Sequence, residues 1–184
     1  MEQSDNTIDY RSIYRDLHRT LSEQSNKPEK MDEGLAEFLR EYGPREGITD
    51  DEYHWIMVYV AFYSGMKASI VTERLSVIEK YLCGYDRVSN YAESDIQRIL
   101  QDPSMIRHEG KVRASVENAR AVKSIVSKYG SFKAFIDLFG PFSSLNNLMR
   151  LKSRPQEEFS YLADRTVYHF MTDIGLPVLN PIGS

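Results

Sequence analysis

Arg107, Lys111 and Arg113 stand within seven residues of one another, with His108 among them, in the stretch "MIRHEGKVRASVENARAVKSIVSKYGSF". Over residues 103–133 the chain carries 7 Lys or Arg against 2 Asp or Glu, although its formal net charge is −4. Cations at this density suit phosphate oxygens, and salt screens repulsion from distant acids beyond about 8–10 Å. The competing reading is a solvated helix face. A second concentration of chemistry-bearing groups runs through Glu52, Tyr53, His54, Trp55, Tyr59, Phe62 and Tyr63, whose rings could stack a flat ligand. Glu52 is the nearest carboxylate, a weak catalytic candidate, because it also falls three residues after Thr49 at capping-box spacing. Trp55, Tyr59 and Phe62 share one helix face, the usual signature of core.

The elements that would carry these groups read as helices almost throughout. Val112, Val116, Ala119, Val122 and Val126 recur every three or four residues, with Arg113, Glu117, Arg120 and Ser124 on the opposite side. "TDDEYHWIMVYVAFY" begins with Thr49 and Glu52 and then turns almost wholly apolar, as a helix central to the core would. Ser94 and Gln97 repeat the capping-box signal, and Gly130, Gly140 and Gly175 mark helix ends. No alternating run is long enough for a strand, so the expectation is an all-α domain of eight to ten short helices. The polar segment 22–34 separates an N-terminal helix, Asp9 to Leu21, from the rest, dividing the chain into an extension over 1–45 and a main domain over 46–184.

Composition narrows the class. No apolar run approaches the roughly 20 residues that span a bilayer, so no membrane partner is expected. One cysteine, Cys83, excludes an internal disulfide framework and fits a cytoplasmic location and an inert core thiol. The acids gather at the front, 14 against 7 Lys or Arg in residues 1–52. That acidic arm is the alternative candidate for the working part of the chain, as a protein-interaction element.

Three stretches, in order, resemble the helix-hairpin-helix DNA glycosylases, and among them the bacterial DNA-3-methyladenine glycosylase I family. "YSGMKASIVTERLSVIEKYL" is similar to the helix-turn-helix at the family's wedge. "DIQRILQDPSMIRHEGKVRASVENARAV" is similar to its most recognisable stretch, an apolar pair, an Arg and a Lys-led helix ending in Asn-Ala. "GSFKAFIDLFGPF" and "LADRTVYHFMTDIGL" look like its Gly-Ser-Phe helix and its hairpin. The likeness covers about residues 50–176.

The resemblance implies a compact multi-helix glycosylase domain that extrudes a base from duplex DNA, against a few kcal/mol of stacking and pairing. It places a wedge at Gly65, Met66 and Lys67 and backbone contacts at Arg107, Lys111 and Arg113, while the crowded rings of Tyr53, Trp55 and Tyr63 are the candidates for a base pocket. It also places a phosphate grip at Ala163, Arg165 and Thr166, between a helix around 155–162 and one at 164–174. Double-stranded DNA would be the partner, alkylated purines such as 3-methyladenine the substrate, and hydrolysis of the N-glycosidic bond the reaction, without cofactor or metal.

The pattern also departs from the family. Val60 stands where the family carries its base-reading Glu, Ala68 where it carries an aromatic residue, and Ala163 where the hairpin carries Gly. The family's zinc ligands are missing, leaving one Cys and His18, His54, His108 and His169. "GLPVLNPIGS" has Pro177 but not the catalytic Asp of the wider superfamily, on which the 3-methyladenine branch does not rely. A relative that binds DNA without releasing a base is therefore the alternative expectation.

Overall fold

The computed structural model describes residues 45–162 and 164–176. The extension over 1–45, with its helix from Asp9 to Leu21, falls outside the described residues except for Arg45. So do Ala163 and the stretch after Leu176, and the side chain of Arg165 is likewise outside them. Every described element is a helix: α1 (Asp50–Tyr63), α2 (Ala68–Leu82), α3 (Tyr85–Ser89), α4 (Glu93–Gln101), α5 (Glu109–Tyr129), α6 (Phe132–Asp137), α7 (Leu145–Glu158) and α8 (Asp164–Asp173). The all-α expectation holds, and no described helix is long and apolar enough to cross a membrane.

Two helices organise the rest. α1 is apolar nearly all round, and it is buried on two sides, as a central helix must be. Tyr53, Ile56, Met57 and Val60 enter one hydrophobic cluster, while Val58 and Phe62 enter a second. α5 divides its stripe the same way. Val112, Val116 and Ala119 join the second cluster, and Val122 and Ile125 join the first with α6, α7 and α8. The full burial of Met57, Phe62, Phe132 and Phe170 supplies about 1.5–3 kcal/mol of transfer free energy apiece.

The starts and stops are mostly those the residues foretell. Thr49 and Glu52 form a reciprocal capping box on α1. The acids of the first turn also reach outward, with Asp50 accepting from the Phe132 N–H at 2.7 Å and Asp51 from the Tyr85 N–H at 2.9 Å. α5 ends at Gly130, whose φ of +85° lets its N–H bond the Val126 carbonyl at 2.8 Å, and Ser131 then caps α6.

Three expectations are corrected. Ser94 does not cap α4, which begins a residue earlier; Asp95 accepts from the Ala92 N–H at 3.0 Å, and Ala92 has no side-chain acceptor to complete a box. The helix expected around 155–162 is α7, which ends at Glu158 with Pro155 inside its last turn. Proline reads from sequence as a start because it suits a first turn, and here tertiary packing of Leu148, Leu151 and Phe159 prevails. Cys83 is only half-buried at the end of α2, with burial pushing its thiol pKa up.

Candidate DNA-binding and base-release site

The turn between α1 and α2 is short because Gly65 takes φ +67°, a conformation that penalises any side chain. The Met66 N–H folds back to the Tyr63 carbonyl, and Lys67 opens α2 without a side-chain cap. Gly65 and Lys67 are exposed, while Met66 is half-buried against the second cluster. Tyr63, expected in a base pocket, instead braces this turn: its hydroxyl donates to Thr72 Oγ1 at 2.8 Å, since Thr72 spends its own proton on the Ala68 carbonyl.

Lys111 is the largest surprise. Expected as a phosphate contact, it is 2% exposed, and its ammonium donates to the carbonyls of Ala61 at 2.7 Å, Phe62 at 3.1 Å and Ser64. These are last-turn and cap carbonyls of α1, which lack helical partners, and a cation there also meets the negative end of the helix dipole. Burial lowers the Lys111 pKa. His108 caps the start of the same helix, accepting at Nδ1 from the Lys111 N–H at 3.3 Å.

Asn118, seven residues on, does the corresponding work for the turn between α7 and α8. Its Nδ2 donates to the Ser160 carbonyl at 2.9 Å and its Oδ1 accepts from the Ser160 N–H at 2.8 Å. Tyr161 follows with φ +60°, uncommon for a residue with a side chain, and leans over the start of α5. A Cβ on Gly110 would lie 2.7 Å from the Tyr161 hydroxyl, and the His108 and Tyr161 rings meet edge to face at 6.3 Å. Thr166, in the first turn of α8, is buried.

The remaining cations of 103–133 sort sharply. Arg113, expected to face a phosphate, is held by Glu93 at 2.6 Å and Glu109 at 2.7 Å. Arg120 donates to the carbonyls of Ser89 and Tyr91, Lys123 pairs with Asp86 and Lys133 with Asp137. Among the described residues Arg107, Lys67 and Lys128 are exposed and form no ion pair, Lys128 lying 5.0 Å from the Tyr129 ring centroid. Arg107 lies four residues before Lys111 and Lys67 three after Ser64, so the Lys111–Ser64 contact joins their two segments.

The other pocket candidates also have packing partners. Tyr53 is 4% exposed, stacked at 4.8 Å on Phe132, and burial pushes its pKa up to about 12. Trp55 is half-buried, packs on the second cluster and meets Tyr59 edge-on at 5.8 Å. Glu52, the weak catalytic candidate, gives Oε2 to the Thr49 N–H and hydroxyl and pairs Oε1 with Arg45, which lowers its pKa. Val60 is 4% exposed in the first cluster, so that position offers no carboxylate. Among the described residues no group of three His, Cys, Asp or Glu side chains is placed to hold a metal ion.

Sequence reasoning missed Asn118, Tyr161 and the burial of Lys111. One signal was present: Lys111, Ser115 and Asn118 fall at i, i+4 and i+7 beside the apolar stripe, so burial of that stripe draws them in.

Comparison with known proteins places this arrangement. The sequence model of the methyladenine glycosylase family matches residues 40–160, which contain α1 through α7. A crystal structure of 3-methyladenine DNA glycosylase I superposes with a TM-score of 0.60 at 21% identity, over 72% of this chain and 81% of that one. The enzyme of the same name from Staphylococcus aureus gives a TM-score of 0.61 at 18% identity, over 72% and 80%. A variant of 3-methyladenine DNA glycosylase I in complex with 3-methyladenine gives 0.59 at 18% identity, over 70% and 78%. At these identities the superpositions establish the fold, and the match over residues 40–160 establishes the lineage: the chain belongs to the methyladenine glycosylase family.

Proposed function

We propose that the protein is a monofunctional DNA N-glycosylase, hydrolysing the bond between deoxyribose and alkylated purines such as 3-methyladenine in duplex DNA. The observation that carries this reading is the family match over residues 40–160, which includes the Gly65–Lys67 turn and the whole of α5. Two of the structural neighbours bind or recognise 3-methyladenine, in keeping with that substrate class.

In this reading Met66, unbranched and half-buried, fills the stack that an extruded base leaves. Lys67 and Arg107, exposed and free of ion pairs among the described residues, meet flanking phosphates. The first-turn amides of α8 take a further phosphate, as helix N-termini do. A purine made cationic by alkylation is already a good leaving group, so the site has to extrude and hold the base for attack by water at the sugar carbon. The division into an extension over 1–45 and a catalytic domain over 46–184 is part of the same proposal, as is a cytoplasmic location with access to the genome.

Incubation with methylated duplex DNA, followed by mass spectrometry of the free bases, tests the reading. Release of 3-methyladenine or 7-methylguanine is the expected result. A second reading, DNA binding without base release, is favoured by one observation: buried, apolar Val60 where the resemblance implies a base-reading Glu. Retained duplex binding with no release, beside an active control glycosylase, would select it.

A further inference from the structure

The buried edge of α5 carries three polar side chains, two of which, Lys111 and Asn118, reach different neighbours. Lys111 gathers the carbonyls that lead into the Gly65–Lys67 turn. Ser115 sends its hydroxyl to the Lys111 carbonyl at 2.8 Å, and its own carbonyl meets His54 Nε2 at 3.0 Å, fastening α5 to the middle of α1. Asn118 grips both backbone groups of Ser160, in the turn that leads to α8. Lys111 and Asn118 are 2% exposed each. Seven residues of helix separate them by about 10 Å along one face.

We propose that Lys111 and Asn118 are positioning residues that hold the wedge turn and the hairpin turn at a fixed separation on a single rigid helix. Base extrusion is thereby registered against the grip on the DNA backbone. The inference rests on the glycosylase reading above.

Two features argue for this over simple helix capping. Lys111 brings a charge into the interior, which is tolerated only where its donors are satisfied, and it meets three carbonyls at once, those of Ala61, Phe62 and Ser64. Moreover, one helix makes both contacts: Lys111 reaches the last turn and cap of α1, directly before the Gly65–Lys67 turn, and Asn118 reaches Ser160 in the turn before α8. Tyr161 adds a third link between the two turns, its ring 6.0 Å from the Lys111 ammonium and its hydroxyl over Gly110.

The test compares two duplexes carrying one alkylated purine, either paired or facing an abasic analogue, where the base is already unpaired. Single-turnover release is measured for the full chain and for Lys111→Met and Asn118→Ala, each checked by thermal melting. Misplacement of the wedge predicts a loss on the order of a hundredfold on the paired substrate and a much smaller loss on the unpaired one. Equal losses on both, or none on either, overturn the proposal. Asn118→Ala decides the matter if Lys111→Met does not fold.

If the unaltered protein releases no base from either duplex, the glycosylase reading itself fails. Positioning is then read from binding. Preference for an abasic duplex over an intact one should disappear in Asn118→Ala, with the dependence of affinity on salt unchanged. A retained preference overturns the proposal.

Discussion

The two long sides of α5 both carry cations and use them in opposite ways. On the solvent side Arg113, Arg120 and Lys123 are each engaged by local carboxylates or carbonyls, at the surface, where such contacts contribute little. On the buried side a single cation, Lys111, organises the end of another helix. The stretch that reads as a basic face therefore presents less free positive charge than its composition suggests: Arg107 just ahead of the helix and Lys128 in its last turn are exposed and outside any ion pair among the described residues. Counting cations measures composition. Which of them a phosphate can reach is set by their neighbours.

The difference between the two sides should be largest at Lys111. Lys111→Met leaves three acceptors at the end of α1 without their donor and should lower the free energy of unfolding by about 2–3 kcal/mol, seen as a reduced urea midpoint. Asn118→Ala removes two neutral hydrogen bonds and should lose about 1–2 kcal/mol on the same measurement. A loss at Lys111 no larger than that of a surface lysine would put it back on the solvated face.

Charge reversal at Arg107 or Lys67 probes the opposite side of the contrast. Each should weaken duplex binding and make the plot of log affinity against log salt shallower by about 0.9 for each phosphate no longer neutralised, with the urea midpoint unmoved. An unchanged salt slope would remove that residue from the DNA interface.

His54 adds a smaller, pH-dependent effect. Its burial lowers its pKa, so the folded state holds it neutral while the unfolded chain takes up a proton near pH 6.5. Stability is then complete above about pH 6.5 and falls as the pH drops toward the folded-state value. His54→Gln should flatten that acid-side slope relative to the unaltered protein, with other histidines contributing equally to both. Equal slopes would mean that His54 charges without penalty.

The least effect is expected at Arg113. Arg113→Ala should leave both duplex affinity and the urea midpoint unchanged, since its carboxylate partners already occupy it. The Glu93 carboxyl, held down to about 2 by hydrogen bonds from Arg113 and then Gln97, should titrate closer to an ordinary carboxylate when followed by NMR. A drop in DNA affinity comparable to that of Arg107→Glu would show that Arg113 exchanges its carboxylates for phosphate.

Local chemistry was legible in the sequence to the extent that it is local. Thr49 and Glu52 cap α1 because both partners lie within one turn, Gly130 stops α5 because its left-handed φ is open to glycine, and the stripe from Val112 to Val122 is buried because its spacing makes one face. The resemblance likewise rested on ordered motifs that survive without coordinates. What sequence could not rank was the fate of each polar group beside those stripes. Tyr53 and Tyr63 were equally plausible ring donors to a pocket, yet one is stacked in the core on Phe132 and the other braces a turn through Thr72.

The sequence by itself determined the all-α character of the described residues, their main helix ends, the central apolar helix and the family. Only the tertiary structure decided that Lys111 belongs to Ser64 and Asn118 to Ser160, partners 47 and 42 residues away. The physical reason is that capping and periodicity act over one turn, whereas a buried polar group is satisfied by whatever the packing of distant helices brings within hydrogen-bond reach.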